Sequence, residues 1–142
     1  MHSIRDILRH KGTAIQSIGP EVSVYEALGQ MAEHGIGALL VMEGGKPVGL
    51  FSERDYSRKV ALRGLRSRDT TVRTIMSSPV LTISPDASVQ QGLSMMTDKY
   101  IRHLPVVDGS GVIGMVSIGD LVKAVIQDQQ SLIEQLESYL AR

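Results

Sequence analysis

The chain has 142 residues, which is typical of one compact domain, and its 15 basic residues balance 15 acidic ones for a formal net charge of zero. This balance argues against a nucleic-acid binder that depends on a broad basic face. The absence of cysteine excludes a disulfide framework and thiolate chemistry. Charged residues near the N-terminus and the short apolar runs argue against a signal peptide and a membrane span. We therefore expect a soluble cytoplasmic protein that binds neither nucleic acid nor membranes.

The first half of the chain predicts a β-α-β-β-α unit. It opens with a short apolar strand at Ile15–Ile18. A helix is expected next, because Ser23 and Glu26 form a capping-box pattern and apolar residues recur behind them at helical spacing. Strands at Ala38–Met42 and Pro47–Phe51 are separated by a glycine-containing turn, which predicts a hairpin. A second helix is expected directly after this hairpin.

The second half of the chain repeats the first. Residues 23–55 align without a gap with residues 88–120 at a constant offset of 65. Eleven pairs are identical, whereas ordinary residue usage gives roughly two by chance. These pairs are Ser23/Ser88, Val24/Val89, Leu28/Leu93, Met31/Met96, Ile36/Ile101, Leu39/Leu104, Val41/Val106, Gly44/Gly109, Gly49/Gly114, Ser52/Ser117 and Asp55/Asp120. The repeat predicts a strand at Val80–Ile83, a helix, and hairpin strands at His103–Val107 and Val112–Val116.

Shorter similarities set the expected domain limits. Ile4–Ile7 resembles Val72–Ile75 at an offset of 68, so the lead-in loops of the two repeats differ by three residues. We expect a first repeat at residues 1–66, a second at residues 67–127 and a C-terminal helix at residues 128–142.

The C-terminal helix is predicted as a separate element. Ser131 and Glu134 form a further capping-box pattern, and an apolar stripe follows between Leu132 and Leu140. The first repeat has no counterpart of this stripe. It predicts either packing of the helix on its own domain or self-association.

Two polar pairs stand out among the identities. Ser52/Asp55 and Ser117/Asp120 lie in the same motif, in which a glycine and an apolar strand end precede Ser-x-x-Asp. Helix capping explains either copy alone, because serine and an acid three residues later commonly open a helix. The recurrence in both repeats, at strand ends where a sheet offers a crevice, favours a binding site instead. A carboxylate accepts hydrogen bonds from a vicinal diol such as ribose.

These features together resemble a known family. The doubled β-α-β-β-α pattern, the repeated Ser-x-x-Asp motif and the segment Ile101–Asp108 resemble a tandem pair of cystathionine-β-synthase (CBS) domains, called a Bateman module, of the kind found as stand-alone bacterial proteins. The resemblance covers residues 4 to about 126. It implies an α/β (α+β) fold in which two β-α-β-β-α repeats pack with pseudo-twofold symmetry.

The resemblance also implies a function. CBS pairs bind adenine nucleotides in clefts between the repeats and regulate an attached or separate effector. AMP is the expected ligand here, with ATP, ADP, NAD(H) or S-adenosylmethionine as alternatives. The implied protein is a non-catalytic signal-transduction module, a homodimer whose shift in conformation reaches an unidentified effector protein.

The resemblance implies roles for individual residues. Asp55 and Asp120 would hold ribose hydroxyls, and Ser52 and Ser117 would contact ribose or phosphate. The remaining expected contacts are Ile15, Ile36, Ala38, Val80, Ile101 and Pro105 around adenine, Thr13 and Ser78 in the lead-in loops, and Arg54, Arg58, Arg102 and His103 near phosphate.

The two clefts are expected to differ. Gly37-Ala38 in the first repeat replaces Arg102-His103 in the second, which predicts unequal ligand preference or occupancy. His103 alone is equally well explained as a structural histidine. Arg54 and Arg58, spaced one helical turn apart, are either a phosphate clamp or a solvated helix face.

Two other functions stay open at this point. One is a ligand-free structural or dimerisation module. The other is a small nucleotide-processing enzyme, against which the chain shows no P-loop, no dinucleotide-binding glycine motif and no nucleophile elbow. His2, His10 and His34 lack the spacing of metal ligands, so no metal site is expected.

Overall fold

The computed structural model describes residues 2–142 and contains two compact units. The central unit is Ile15–Leu81. The terminal unit joins the residues before Ile15 to Thr82–Arg142. The two repeats follow one another in the sequence. The two compact units do not, because each unit takes its lead-in segment from the sequence range of the other repeat.

The helices and strands follow the repeated order that the sequence predicts. Along the chain they are α1 (Ile4–Lys11), β1 (Ser17–Ile18), α2 (Val24–His34), β2 (Ala38–Glu43), β3 (Lys46–Ser52), α3 (Glu53–Tyr56), a π-helical turn (Ser57–Ala61), a 3-10 turn (Ser67–Asp69), α4 (Val72–Ile75), α5 (Val89–Lys99), β4 (His103–Asp108), β5 (Gly111–Ser117) and α6 (Ile118–Leu140). The predicted mixed α/β fold is confirmed, with two small sheets.

The central unit is built around a three-stranded sheet. Strand β1 runs parallel to β2, and β2 pairs antiparallel with β3. Helix α2 begins where the Ser23 side chain accepts a hydrogen bond from Glu26 N, and it ends at Gly35, whose φ of 62° is left-handed. The apolar stripe of α2 and the sheet bury Val24, Met31 and Phe51 in one core. The capping and periodicity of the sequence therefore predict this helix correctly.

The terminal unit has a two-stranded sheet, formed by β4 and β5. A strand at Val80–Ile83 is predicted, but only Ile83 pairs, as an isolated bridge to Val106. Ile83 N donates to the Pro105 carbonyl oxygen, and Val107 N donates to the Ile83 carbonyl oxygen. The predicted strand is therefore wrong in extent, since the chain reaches the sheet edge for one residue only.

Helices α1 and α4 are equivalent lead-in helices. Ile4 N bonds the Ala87 carbonyl at 2.9 Å, and Val72 N bonds the Val22 carbonyl at 2.9 Å, so each helix is tied to the segment that precedes the first long helix of its unit. The apolar residues of the two similar segments, Ile4–Ile7 and Val72–Ile75, enter the cores of their units. The similarity at an offset of 68 therefore reflects a shared packing role.

The lead-in segments also explain the identical glycines of β3 and β5. A Cβ at Gly114 would lie 2.6 Å from Leu8 Cδ2, and one at Gly49 would lie 2.5 Å from Met76 Sδ. Both distances are far below van der Waals contact. Glycine at these positions therefore allows the lead-in segment to approach the sheet closely.

Helix α6 differs from its prediction. A separate helix starting at Ser131 is expected, but α6 is continuous over 23 residues and Ser131 lies in its interior. No glycine or proline interrupts residues 121–140, so nothing ends the helix before the predicted capping box. Its buried side chains are Leu121 and Ala124, and residues 129–142 are exposed. Packing of the stripe on its own domain is therefore not observed. Even α6 is not apolar enough to span a membrane, nor is any other helix within residues 2–142.

Candidate functional site

The two Ser-x-x-Asp motifs form helix starts. Ser52 Oγ accepts a hydrogen bond from Asp55 N at 3.1 Å, and Ser52 N donates to Asp55 Oδ2 at 3.0 Å. Ser117 and Asp120 make the same pair of contacts at 3.2 and 2.8 Å. Both motifs are therefore capping boxes, and the capping interpretation is confirmed at α3 and α6.

Each helix start lies beside the beginning of a hairpin in its own unit. In the central unit Ala38 pairs with Ser52, and Glu53 N donates to the Gly37 carbonyl at 3.0 Å. In the terminal unit His103 pairs with Ser117, and Ile118 N donates to the Arg102 carbonyl at 2.8 Å. The hydrogen bonds thus bring together four of the sequence-predicted site residues in each unit. The four are Gly37, Ala38, Ser52 and Asp55 in the central unit, and Arg102, His103, Ser117 and Asp120 in the terminal unit.

Asp55 is buried and its carboxylate is saturated. Its side chain is 9% exposed. Oδ2 accepts from Ser52 N and from Ser52 Oγ, while Oδ1 accepts from Ser77 Oγ at 2.9 Å and lies 3.1 Å from Lys59 Nζ. A carboxylate offers about four lone-pair sites. A ribose hydroxyl can therefore bind Asp55 only by displacing a donor that the protein already supplies.

Asp120 is more accessible and has fewer partners. Its side chain is 24% exposed, and Oδ2 accepts from Lys11 Nζ at 2.7 Å and from Ser117 N at 2.8 Å. Lys11 Nζ also donates to the Met115 carbonyl at 3.0 Å. This ion pair connects the last turn of α1 to the first turn of α6.

The Lys11 ion pair decides the charge state of Asp120. Desolvation by burial raises the pKa of the Asp120 carboxyl, but the hydrogen bonds from Lys11 and Ser117 N and the charge of Lys11 outweigh it. The net pKa lies below its ordinary value of 3.8, so Asp120 is ionised at neutral pH. An ionised carboxylate is a hydrogen-bond acceptor only, as a site for sugar hydroxyls requires.

A cavity of about 210 Å³ opens next to Asp120 between α1 and α6. His10, Lys11, Lys123 and Gln127 line it together with Asp120. Pockets for drug-sized ligands typically measure about 300–1,000 Å³. The cavity therefore has room for one sugar or one phosphate group, with two lysines at hand for charge neutralisation, and is smaller than a whole nucleotide.

The other predicted contacts are spread over the two units. Ile36 and Ile101 are half-buried and pack against the cores of their units, and Ile15 and Val80 are half-buried as well. Ala38 and Pro105 are buried within the hairpins, whereas Thr13 and Ser78 are exposed in loops. Their predicted roles toward adenine and ribose stay predictions.

Arg54 and Arg58 are both exposed. Helix α3 ends at Tyr56, and Arg58 lies in the π-helical turn, where Leu62 N donates to the Ser57 carbonyl five residues earlier. The backbone between the two arginines stays helical, with φ/ψ of -58°/-52° at Tyr56 and -59°/-46° at Ser57. The phosphate clamp and the solvated helix face both stay predictions.

Three polar partners of the site are missing from the sequence prediction. Lys59 lies four residues after Asp55, and this spacing is a helix ion-pair signal that the sequence does contain. Ser77 and Lys11 reach their aspartates from distant segments, 22 and 109 residues away along the chain. Within residues 2–142, no cluster of three or more acidic or histidine side chains is arranged to hold a metal ion.

Comparison with known proteins agrees with the duplicated fold. The family model for the CBS domain matches twice, at residues 4–62 and 72–127. The chain belongs to the CBS-domain family. The tandem CBS pair implied by the sequence resemblance is therefore confirmed, and the two matches correspond to the two repeats.

Two solved structures and one curated relative with CBS domains illustrate the similarity. A protein with CBS domains from Burkholderia ambifaria, whose description points to signal transduction, is 44% identical, covers 90% of this chain and 96% of its own, and superimposes with a TM-score of 0.86. A CBS-domain protein from Agrobacterium tumefaciens is 35% identical, covers 87% and 98%, and has a TM-score of 0.82. A mitochondrial CBS domain-containing protein of Arabidopsis thaliana is 35% identical over 97% of this chain and 71% of its own length.

Proposed function

We propose that this CBS pair is a non-catalytic regulatory module that binds an adenine nucleotide, with AMP as the expected ligand, and passes the signal to an effector protein. The observation that carries the proposal is Asp120, an ionised, partly accessible carboxylate that lines a small cavity together with two lysines. The Burkholderia relative, described in terms of signal transduction, supports the regulatory role.

The chemistry of the Asp120 cavity suits a sugar phosphate. Asp120 would accept hydrogen bonds from the ribose hydroxyls, in the role that the family resemblance implies. Lys11 and Lys123 would neutralise a phosphate, because ammonium groups act as point charges toward phosphate oxygens. Arg102 and His103 lie at the same end of the β4–β5 hairpin as Ser117 and would approach the phosphate, in the role that the family resemblance implies. The base and the rest of the ligand would lie outside the cavity, since its volume accommodates only part of a nucleotide.

Asp55 is not proposed as an equivalent ligand site. Its four donors leave no accessible acceptor, and Gly37-Ala38 supplies no cation at the position of Arg102-His103. One nucleotide per chain is therefore expected. The sequence predicts unequal ligand occupancy of the two repeats from Gly37-Ala38 in place of Arg102-His103. The saturated Asp55 carboxylate is a second reason to expect it.

Nucleotide binding would act on the Lys11–Asp120 ion pair. Ribose hydroxyls compete with Lys11 for the Asp120 carboxylate, so a bound ligand favours states in which this contact is rearranged. A ligand shifts a population only by its difference in affinity for the two states. We expect the contact between α1 and α6 to differ between the ligand-free and ligand-bound states. An effector would sense this difference.

Calorimetric titration of the protein with AMP, ADP, ATP, NADH and S-adenosylmethionine tests the proposal. At least one ligand should bind, and saturation at a hundred times its Kd should add about 2.7 kcal/mol to the free energy of unfolding. Asp120→Ala should weaken that affinity more than tenfold, because a hydrogen bond to a charged group contributes about 1.5–3 kcal/mol. Asp98→Ala, an exposed acid on α5, is the matched control and should bind normally.

Two outcomes would contradict the proposal. If none of the five ligands binds or raises the melting temperature, the CBS pair is a structural module. If prolonged incubation with ATP gives product, and Asp120→Ala abolishes this turnover, the protein is an enzyme and not a sensor.

A further inference from the structure

The outer part of α6 carries an exposed apolar seam. The seam consists of Val122, Ile126, Gln129, Ile133, Leu136 and Leu140. Its apolar members are 43–80% exposed, far more than core side chains. The spacings along the seam are four, three, four, three and four residues, which is the heptad spacing of a coiled-coil interface.

The seam faces away from the terminal unit that anchors α6. If Ile126 and Ile133 are placed at heptad position a, Leu136 occupies position d and Ala124 occupies position f, on the opposite side of the helix. Ala124 and Leu121, the latter at position c, are the buried residues of α6, and Val125, at position g, packs against the same core. The helix thus packs on its own unit through positions c, f and g and leaves positions a and d exposed.

We infer that the seam binds the same seam of a second copy of this chain, with the two α6 helices antiparallel. The flanking positions carry the argument for this occupant. Position e is polar throughout and holds Lys123, Gln130 and Glu137. Position g is apolar and holds Val125, which packs on the core of its own unit, and the exposed Leu132 and Tyr139. Such a helix matches a partner helix whose polar edge, position e, lies beside its own polar edge and whose apolar edge, position g, lies beside its own apolar edge.

An antiparallel pair provides this alignment, because it places e beside e and g beside g. Lys123, which lines the Asp120 cavity of its own chain, then lies on the same polar edge as Glu137 of the second copy, so no apolar side chain meets a charge there. On the other edge, Leu132 meets Leu132 of the second copy at the twofold axis. A parallel pair would place g beside e and bring Leu132 against Glu137, an apolar side chain against a charge. The edges therefore favour the antiparallel orientation.

The layers of the seam fit the same register. Val122 lies opposite Leu140 of the second copy, Ile126 opposite Leu136, and Gln129 opposite Ile133. Gln129 is the polar residue in the seam, and a polar residue at such a position selects register at a cost in stability. The seam spans 19 residues, from Val122 to Leu140, or about 28 Å of helix at 1.5 Å per residue. Since this is a short coiled coil, we expect a dimer that dissociates on dilution.

The oligomeric state of the full chain tests the seam. Sedimentation velocity should show a monomer–dimer equilibrium in the micromolar range, and Leu136→Asp should give a monomer at every concentration used. Ser138→Asp is the matched control, because it adds the same charge to an exposed position opposite the seam and should leave the dimer intact. A monomeric wild-type protein, or a dimer that survives Leu136→Asp, would overturn the inference. Neither outcome depends on nucleotide binding.

Single-cysteine variants test the orientation, because the chain has no cysteine of its own. Under mild oxidation Leu132→Cys should form a disulfide-linked dimer, since the two copies of position 132 meet at the axis of the antiparallel pair. Leu136→Cys should stay uncrosslinked, because position 136 faces Ile126 of the second copy. Crosslinking of Leu136→Cys but not of Leu132→Cys would show a parallel pair and overturn the proposed orientation, as would the failure of both to crosslink.

Discussion

The aspartates of the central and terminal units occupy identical positions in the repeat but have different surroundings. Asp55 takes its lysine from the next turn of its own helical segment, and Ser77 adds a further donor. Asp120 takes its lysine from the lead-in helix α1. The source of one lysine thus separates a buried, saturated cap from an accessible carboxylate beside a cavity. A duplicated motif can keep its capping geometry in both copies while only one copy keeps an accessible carboxylate beside a cavity.

The largest expected difference between the units is in stability. Asp55→Ala removes the α3 cap and leaves Lys59 and Ser77 without their carboxylate, so the free energy of unfolding should fall by about 2–4 kcal/mol. Asp120→Ala removes a more exposed ion pair and a cap and should lower it by about 1 kcal/mol. Urea denaturation of both variants measures these losses. Equal losses would show that the two carboxylates have the same structural weight.

Alanine substitutions at Gly49 and Gly114 should again destabilise the central unit more than the terminal unit, with a smaller loss of unfolding free energy than at the aspartates. Alanine at Gly49 would place its Cβ 2.5 Å from Met76 Sδ and 3.1 Å from the Ser77 carbonyl oxygen. Ser77 exchanges backbone hydrogen bonds with Leu50, so this carbonyl cannot move easily. Gly49→Ala should therefore destabilise the protein by about 1–3 kcal/mol.

Gly114→Ala is the paired comparison. The three atoms nearest to its Cβ all belong to the Leu8 side chain, whose methyl groups can rotate away, so the loss should be clearly smaller than at Gly49. Thermal unfolding of both variants checks the order. A larger loss at Gly114 would mean that the core around α1 is the more rigid of the two.

The smallest effect is the pH dependence of the Lys11–Asp120 pair. Because the folded-state pKa of Asp120 is lowered, its contribution is present above the ordinary value of 3.8 and is lost as the pH falls through the folded-state pKa. Lys11→Met should cost about 0.5–1 kcal/mol at neutral pH, as expected for a partly exposed pair. This difference from the wild-type protein should vanish in acid, once Asp120 is protonated.

Urea midpoints measured from pH 7 to below the ordinary pKa of 3.8 test this dependence. Lys46→Met, on the exposed hairpin between β2 and β3, controls for the loss of a positive charge. A constant difference between wild type and Lys11→Met at all pH values would show that Lys11 acts only through its contact with the Met115 carbonyl.

Much of the fold could be predicted from the sequence, because its signals are local. The capping serines, the apolar periodicity of α2 and α5 and the glycine turns of the hairpins define elements from neighbouring residues alone. The strand at Val80–Ile83 and the separate helix at Ser131 were not predicted correctly. In the first case the extent of the strand depends on the sheet edge, which only Ile83 reaches. In the second case the helix continues through the capping pattern at Ser131.

Only the two aspartates of the candidate site could be predicted from the sequence, and not the residues that contact them. Asp55 and Asp120 are found by the repeat itself, since their spacing to serine is conserved between the halves of one chain. The difference between them depends on Ser77 and Lys11, which reach the site from distant segments. The lead-in segments align at an offset of 68, which pairs Ser77 with Arg9 and Lys11 with Pro79, so neither residue has a counterpart of the same role. The sequence therefore predicts two sites, and the contacts distinguish them.

The number of nucleotides bound per chain tests the central claim most directly. Calorimetry with the ligand that binds the wild-type protein should give one site per chain, abolished or weakened more than tenfold by Asp120→Asn. Asp55→Asn, checked for folding at the same temperature, should leave the affinity unchanged. Two equivalent sites per chain, or a single site that is lost in Asp55→Asn and kept in Asp120→Asn, would contradict the account.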